Sequence, residues 1–119
     1  MKINNIINCR GFVQTDDSGE EKITLSVAVA ADGKILAAVA DVTGDGLFKE
    51  CAETVCRVIE GVDIREVPLM GANAVIYNTE SEIPRGRLYC ASAATLAAKK
   101  AAADWAKQTG EKLNGKICC

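Results

Sequence analysis

Six cysteines are the residues best able to do chemistry in this chain of 119 residues, which contains no histidine. Thiolates are soft ligands for iron and zinc, and they are also the nucleophiles of thiol–disulfide exchange. The absence of histidine excludes Ser-His-Asp and Cys-His catalysis, His-x-x-x-His metalloproteases and Cys2His2 zinc sites. The cysteines are Cys9, Cys51, Cys56, Cys90, Cys118 and Cys119.

The compartment of the protein decides what these thiols can do. Residues 1–9 are too polar for the apolar stretch of a signal peptide, and no run approaches the ~18 apolar residues of a membrane span. We therefore expect a cytoplasmic protein without a membrane partner, whose cysteines are reduced. A net charge of −2 and an aromatic content of 4% are not typical of a nucleic-acid binder, so no such partner is expected.

The positions of the cysteines other than Cys90 predict different environments for their side chains. Cys51 and Cys56 are five residues apart on a predicted helix, or about 140° around its axis. Cys51 belongs to the apolar stripe of that helix and is expected to be buried and inert. Cys56 lies off the stripe, which favours a boundary position. Of the two cysteines it is the better candidate for an exposed or ligating thiol. Cys9 could face either side of its strand, and Cys118 with Cys119 predicts either a redox or metal-carrying pair or a tail without a specific role.

Three strands come first among the elements that must position these residues. They are predicted over residues 3–13, 23–30 and 35–42. Asp32 and Gly33 predict a type I′ hairpin turn between the last two strands, because both central positions of that turn need a positive φ. We expect an α+β fold with an antiparallel three-stranded sheet and helices packed on one face.

Two helices are predicted after the strands. Apolar residues recur at helical period over residues 47–59, with Asp45 as the N-cap and Gly61 as the terminating glycine. An alanine-rich helix is predicted over residues 91–108 and ends at Gly110. Its inner stripe is predicted to contain Ala94, Ala98, Ala101 and Trp105.

The segments between and after these helices are less regular. Residues 62–67 predict a short helical turn, and residues 73–77 predict a short strand within a loop-like segment over 68–86. The chain length predicts a single domain over residues 1–119, in which residues 111–119 form a flexible, cysteine-ending tail.

The order of these parts resembles the iron–sulfur cluster assembly scaffolds of the IscU and NifU N-terminal type. The resemblance runs over residues 23–67, with Asp32-Gly33-Lys34-Ile35 at the hairpin and Gly44-Asp45-Gly46 where the family has Gly-Cys-Gly. It resumes at Ile83-Pro84-Arg85-Gly86-Arg87-Leu88-Tyr89-Cys90, which is similar to the proline-rich, His-Cys segment of the family. The final helix, ending in Asp104-Trp105, is similar to the last helix of the family.

The resemblance also assigns the positions of the ligand residues. The family uses three cysteines, an aspartate and a histidine at one exposed site. Cys90 stands at the third cysteine, Asp45 at the second and Tyr89 at the histidine. Gly19 falls at the first cysteine, and Glu21 lies near the aspartate of the family. The pattern thus keeps one cysteine of the three.

A remodelled metal site is the function that this resemblance implies. Cys90 would be a thiolate ligand and Asp45 a carboxylate ligand or ligand-exchange gate, with Glu21 and Cys56 as further candidate ligands. A mixed oxygen–sulfur site suits a single Fe²⁺ or Zn²⁺ ion better than a stable [2Fe–2S] cluster. The resemblance implies a cysteine desulfurase and cluster acceptor proteins as partners, and a homo-oligomer is also compatible with it.

Two other functions stay open at this point. If Asp45 is only a helix cap and Cys90 only a half-buried thiol, the protein is a non-catalytic binding or regulatory module that has lost cluster binding. If Cys90 reacts with the pair Cys118 and Cys119, it is a thiol redox protein. No enzymatic activity is expected, because the sequence contains no nucleophile–base pair, phosphate-binding loop or cofactor fingerprint.

Overall fold

A computed structural model describes residues 6–15 and 19–111 of the chain. The strands, in chain order, are β1 (Ile7–Gln14), β2 (Lys22–Val29) and β3 (Ile35–Thr43). They form one antiparallel sheet in the order β1-β2-β3. The α-helices are α1 (Gly46–Ile59), α2 (Ala72–Asn78) and α3 (Tyr89–Thr109), and 3₁₀ helices cover Ile64–Leu69 and Arg85–Arg87. The expected α+β fold is confirmed.

One face of the sheet is buried under the helices. Side chains alternate between buried and more exposed positions along β1 and β2, which is the period of a strand with one covered face. Helix α1 packs against β3, and α3 packs against β1 and β2. The fully buried side chains of this face include Ile23, Leu25 and Val29 of β2.

Helix α3 lies in backbone contact with β1. A Cβ atom on Gly11 would overlap the carbonyl oxygen of Ala97 and lie 2.6 Å from the backbone nitrogen of Ala101. The alanine-rich inner stripe of α3 makes this approach possible, because small side chains leave little volume between the two backbones. The predicted stripe residues Ala94, Ala98, Ala101 and Trp105 are all buried, as expected.

Both edges of the sheet are partly closed by side chains and loops of the same chain. On the free edge of β1, the Arg10 N–H donates to Oδ2 of Asp104 at 2.9 Å. The Gln108 amide of α3 donates to the Asn8 carbonyl at 3.0 Å. On the free edge of β3, Ile35 exchanges backbone hydrogen bonds with the loop after α1. Strand edges with unpaired backbone groups invite pairing with other chains, and these contacts reduce that tendency.

The hairpin between β2 and β3 differs from the predicted type I′ turn. The Ala30 carbonyl accepts from the Gly33 N–H at 2.9 Å, and the Ala30 N–H donates to the Lys34 carbonyl at 2.8 Å. The loop therefore has three residues and ends in Gly33, whose φ is +97°. Asp32 avoids a positive φ, and its carboxylate instead accepts from the Lys34 N–H at 3.0 Å. A left-handed glycine after a turn is the usual geometry of such loops.

The segment predicted as a short strand over residues 73–77 is helix α2. A run of five residues is too short for periodicity to separate a strand from a helix. The end of α2 is closed by side chains, since Asn78 donates to the Ala74 carbonyl and Thr79 to the Val75 carbonyl, both at 2.7 Å. The short helical turn predicted over 62–67 is confirmed as the 3₁₀ helix Ile64–Leu69.

The terminating glycines are confirmed. Gly61 and Gly110 follow α1 and α3 with φ values of +86° and +75°. Cys118, Cys119 and the tail from residue 112 lie outside the described residues, as do residues 3–5 of the first predicted strand. None of the helices in the described part of the chain has the length and apolarity needed to cross a membrane.

Candidate functional site

Residues from three distant parts of the sequence meet at the guanidinium of Arg87. Its Nη2 atom lies 2.9 Å from Oδ2 of Asp45 and 3.7 Å from Oε2 of Glu21. The same nitrogen is 3.5 Å from the Cys90 sulfur. We name Glu21, Asp45, Arg87, Tyr89 and Cys90 the Arg87 cluster. Two carboxylates and one thiol thus surround a single positively charged nitrogen.

Asp45 caps helix α1, as the sequence predicts. Its backbone is extended, and its Oδ1 atom accepts from the Phe48 N–H at 3.0 Å. Arg87 also donates to Oδ1 of this carboxylate, at 2.9 Å. The hydrogen bond from the Phe48 amide, followed by that from Arg87, lowers the pKa of Asp45. The carboxylate is therefore ionised and doubly bound at neutral pH.

Arg87 ends the 3₁₀ helix that leads into α3. Its guanidinium carbon lies 5.6 Å from the centre of the Tyr89 ring, a distance at which cation and ring attract each other. The hydrogen bonds to Asp45 and then Cys90 raise the pKa of Arg87. Its Nε atom is buried and has no hydrogen-bond partner among the described residues. The guanidinium is thus held mainly through Nη2.

Glu21 is held by two hydroxyl groups. The Tyr89 hydroxyl donates to Oε2 of Glu21 at 2.9 Å, and the Thr15 hydroxyl donates to Oε1 at 2.8 Å. The hydrogen bond to Glu21, followed by desolvation, raises the pKa of Tyr89, so the phenol stays protonated. Tyr89, which stands at the histidine position of the resembled family, therefore orients a carboxylate here.

Cys90 is fully buried in the first turn of α3, with 0% of its surface exposed. The half-buried position considered from the sequence is therefore wrong, and Nη2 of Arg87 lies 3.5 Å from the buried sulfur. Cys51 of α1 is equally buried, which confirms the sequence prediction. Desolvation, followed by the charge of the neighbouring Cys90, raises the pKa of the Cys51 thiol to about 11.

Cys56 does not join the Arg87 cluster. The exposed position considered for it is wrong, since only 7% of its surface is exposed. Helix α1 packs against β3, α2 and α3 together, so more than one of its faces is buried. Burial, followed by the charges of Glu60 and Glu53, raises the pKa of Cys56 to about 11.

Cys9, whose side of the strand the sequence left open, faces the core. Its thiol lies 3.8 Å from the Val27 carbonyl, to which it donates. Burial, followed by the charge of Asp104, raises its pKa to about 12. Such a thiol behaves as a small apolar side chain.

An open cleft of about 510 Å³ lies beside the Arg87 cluster. Its lining residues are Glu20, Glu21, Thr43, Gly44 and Asp45. The two glutamates and the aspartate make the cleft attractive to cations. Within the described residues, however, no three Cys, Asp or Glu side chains are arranged to hold a metal ion. The guanidinium of Arg87 lies between Glu21, Asp45 and Cys90, the donors that the resemblance assigns to one site.

Arg87 is the central residue that sequence reasoning missed. It appears in the sequence only as one basic residue in the segment that precedes Cys90. Its spacing of three residues from Cys90 before a helix is the one local signal that the two side chains would meet. The contact with Asp45 depends on how α1 and α3 pack, which no local pattern reports.

Comparisons with known proteins give no match, so the geometry of the Arg87 cluster is the main observation that bears on function. No protein-family model matches the sequence, and no curated protein has significant similarity to it. A function has to be inferred from the Arg87 cluster and from the residues that the family resemblance singles out.

Proposed function

We propose that this protein is a divergent iron–sulfur scaffold-type protein that carries iron, or a similar divalent metal, at a site centred on Cys90 and Asp45. The observation that supports the proposal is the convergence of Glu21, Asp45 and Cys90 on one guanidinium. These three residues are the ones that the family resemblance assigns to the site.

The donor set decides what kind of cargo the site would accept. One thiolate and two carboxylates form a mixed soft and hard set, which suits a single Fe²⁺ or Zn²⁺ ion better than a stable [2Fe–2S] cluster. Cys90 would supply the thiolate, while Asp45 and Glu21 would supply oxygen. Cys56 is no longer a candidate, because it is buried away from the cluster. Binding requires Arg87 to leave its present position.

The role proposed for the site is that of a carrier. We propose that the protein carries its cargo without catalysing a reaction, in a reducing cytoplasm that keeps Cys90 as a thiol. As the resemblance implies, a cysteine desulfurase would be the sulfur donor and cluster-accepting proteins the recipients.

Anaerobic reconstitution tests this proposal. Purified protein is incubated with Fe²⁺, with and without sulfide, desalted and assayed for iron and for visible absorption. We expect bound iron in the wild type and its loss in Cys90→Ser. The matched control is Cys56→Ser, which changes another buried thiol outside the cluster and should retain iron. The proposal is wrong if the wild type binds no iron, or if Cys90→Ser binds as much as the wild type.

A second candidate is a non-catalytic binding or regulatory module that has lost cluster binding. It is favoured by the contacts of Arg87, whose Nη2 lies 2.9 Å from both Asp45 oxygens and already neutralises that carboxylate. In this case the Arg87 cluster would be a structural ion-pair network. The same reconstitution would then give a colourless, iron-free protein, and Cys90→Ser would not differ from the wild type.

A further inference from the structure

We infer that Arg87 is a built-in counter-cation that closes the site, and that a divalent metal ion binds only by displacing it. This inference rests on the proposed function and adds a regulatory step to it. In this inference, Arg87 controls access to Asp45 and Cys90. Arg87 has no counterpart among the ligands that the resemblance implies.

The position of one nitrogen carries the inference. Nη2 of Arg87 lies within 3.7 Å of a carboxylate oxygen of Glu21, both carboxylate oxygens of Asp45 and the Cys90 sulfur. A metal ion bound to these donors would need the same space. Two cations at such a separation also repel each other strongly. The guanidinium and a divalent ion therefore exclude each other.

Arg87 is placed so that it can leave without disturbing the core. Its side chain is 30% exposed, and it extends from the 3₁₀ helix Arg85–Arg87, in which no residue is buried. Nε forms no hydrogen bond within the described residues, so release breaks mainly the contacts of Nη2. By contrast Cys90 is fully buried and is fixed in α3. Outward rotation of Arg87 would uncover the thiol.

The test measures Zn²⁺ binding under anaerobic conditions by equilibrium dialysis. Arg87→Met removes the charge and keeps an apolar side chain against the Tyr89 ring. Arg85→Met is the matched control, because it makes the same charge change at an exposed position of the same 3₁₀ helix. We expect Arg87→Met to bind Zn²⁺ about tenfold more tightly than the wild type, a size common for two coupled binding events. Arg85→Met should stay close to the wild type.

A second readout does not depend on metal. With Arg87 removed, Cys90 should react faster with iodoacetamide in the native protein, as followed by mass spectrometry of its peptide. Cys9, which is buried on β1 away from Arg87, provides the internal control within the same sample. A general loosening of the fold would increase the labelling of both cysteines, and this result would overturn the inference.

The outcomes separate the inference from the proposed function. Equal Zn²⁺ affinity in the wild type and Arg87→Met overturns the inference and leaves the proposed function standing. Binding by Arg87→Met alone supports the inference and removes the carrier function from the wild type. Absence of binding in every variant overturns both. Loss of the gained affinity in Arg87→Met combined with Cys90→Ser would identify Cys90 as the ligand that Arg87 protects.

Discussion

At the scale of single residues, Asp45 binds two partners, a backbone amide and a guanidinium. It caps α1 through the Phe48 amide and forms an ion pair with Arg87. Both contacts favour the ionised carboxylate, which is why the pKa of Asp45 is lowered. The stabilisation that the charge of Asp45 contributes is therefore present above about pH 4, its ordinary pKa, and is lost as the pH falls through the lower pKa of the folded state.

Asp45→Asn tests that pH dependence. Asparagine also caps helices, so the variant isolates the loss of charge. We expect the wild type to be more stable than Asp45→Asn near neutral pH and the difference to shrink below about pH 4. Urea unfolding at several pH values measures it. Asp41→Asn, which makes the same charge change at an exposed position of β3, serves as the control. A difference that stays constant down to pH 2.5 would contradict the assignment.

The buried thiols give a second prediction at this scale. The pKa is about 12 for Cys9 and about 11 for Cys51 and Cys56, so at pH 8 at most about one thiol in a thousand is ionised. We expect these three cysteines to be alkylated by iodoacetamide only when the protein unfolds. Their labelling rates, read from peptide masses, should therefore rise with urea in parallel with the unfolding transition. Rapid labelling of any of them in the native protein would contradict their burial.

At the scale of elements, the contact between β1 and α3 depends on one glycine. The space above Gly11 is filled by the backbone of α3, so a side chain cannot be accommodated unless the helix moves away. Moving the helix would also open the contacts of the alanine stripe with the sheet. Overpacking of this kind typically costs ~1–3 kcal/mol, and here the obstacle is backbone, which yields little.

Gly11→Ala is accordingly expected to lower the free energy of unfolding by about 3 kcal/mol. Chemical denaturation followed by circular dichroism measures the change. Gly71→Ala is the control, because a Cβ on Gly71 meets no atom within 4 Å. If both variants lose the same stability, the close approach of α3 to β1 is not the cause.

The same elements show which features a sequence can predict. The alanine stripe and the Asp45 cap depend on spacing within one helix, so the pattern of residues was sufficient to predict them. Helix α2 was predicted wrongly, because its short apolar run acquires its structure from packing against α1 and α3. The burial of Cys56 was missed because a helix packed on several sides buries more than one stripe. Arg87 was missed because its partners are brought to it by tertiary structure.

At the scale of the whole molecule, the described residues form a sheet of three strands, in which β2 is interior and β1 and β3 are edges. The edge of β1 is closed by Asp104 and Gln108 from α3. The edge of β3 is closed near Ile35 by the loop after α1 and by the Glu60 carboxylate. The chain thus supplies hydrogen-bond partners to backbone groups that would otherwise be open to another strand.

Removing the side chains on the β1 edge should promote self-association. We expect the double variant Asp104→Ala and Gln108→Ala to form larger species than the wild type as the protein concentration rises. Size-exclusion chromatography with light scattering measures this. Lys107→Ala, an exposed neighbour on the same helix, should behave as the wild type does. A double variant with the same size distribution as the wild type would show that these contacts do not protect the edge.

The position of Gln108 also gives a reason for the length of α3. The buried residues of the helix end at Trp105, so the final turn contributes little to the core. A chain shortened after Trp105 would keep these apolar contacts and still fold, yet the Asn8 carbonyl would lose its partner. Such a truncated protein would keep most of its thermal stability and would precipitate sooner on storage. In this helix, the last turn supplies a hydrogen-bond donor to the edge of β1, and the turns before it supply the buried contacts with the core.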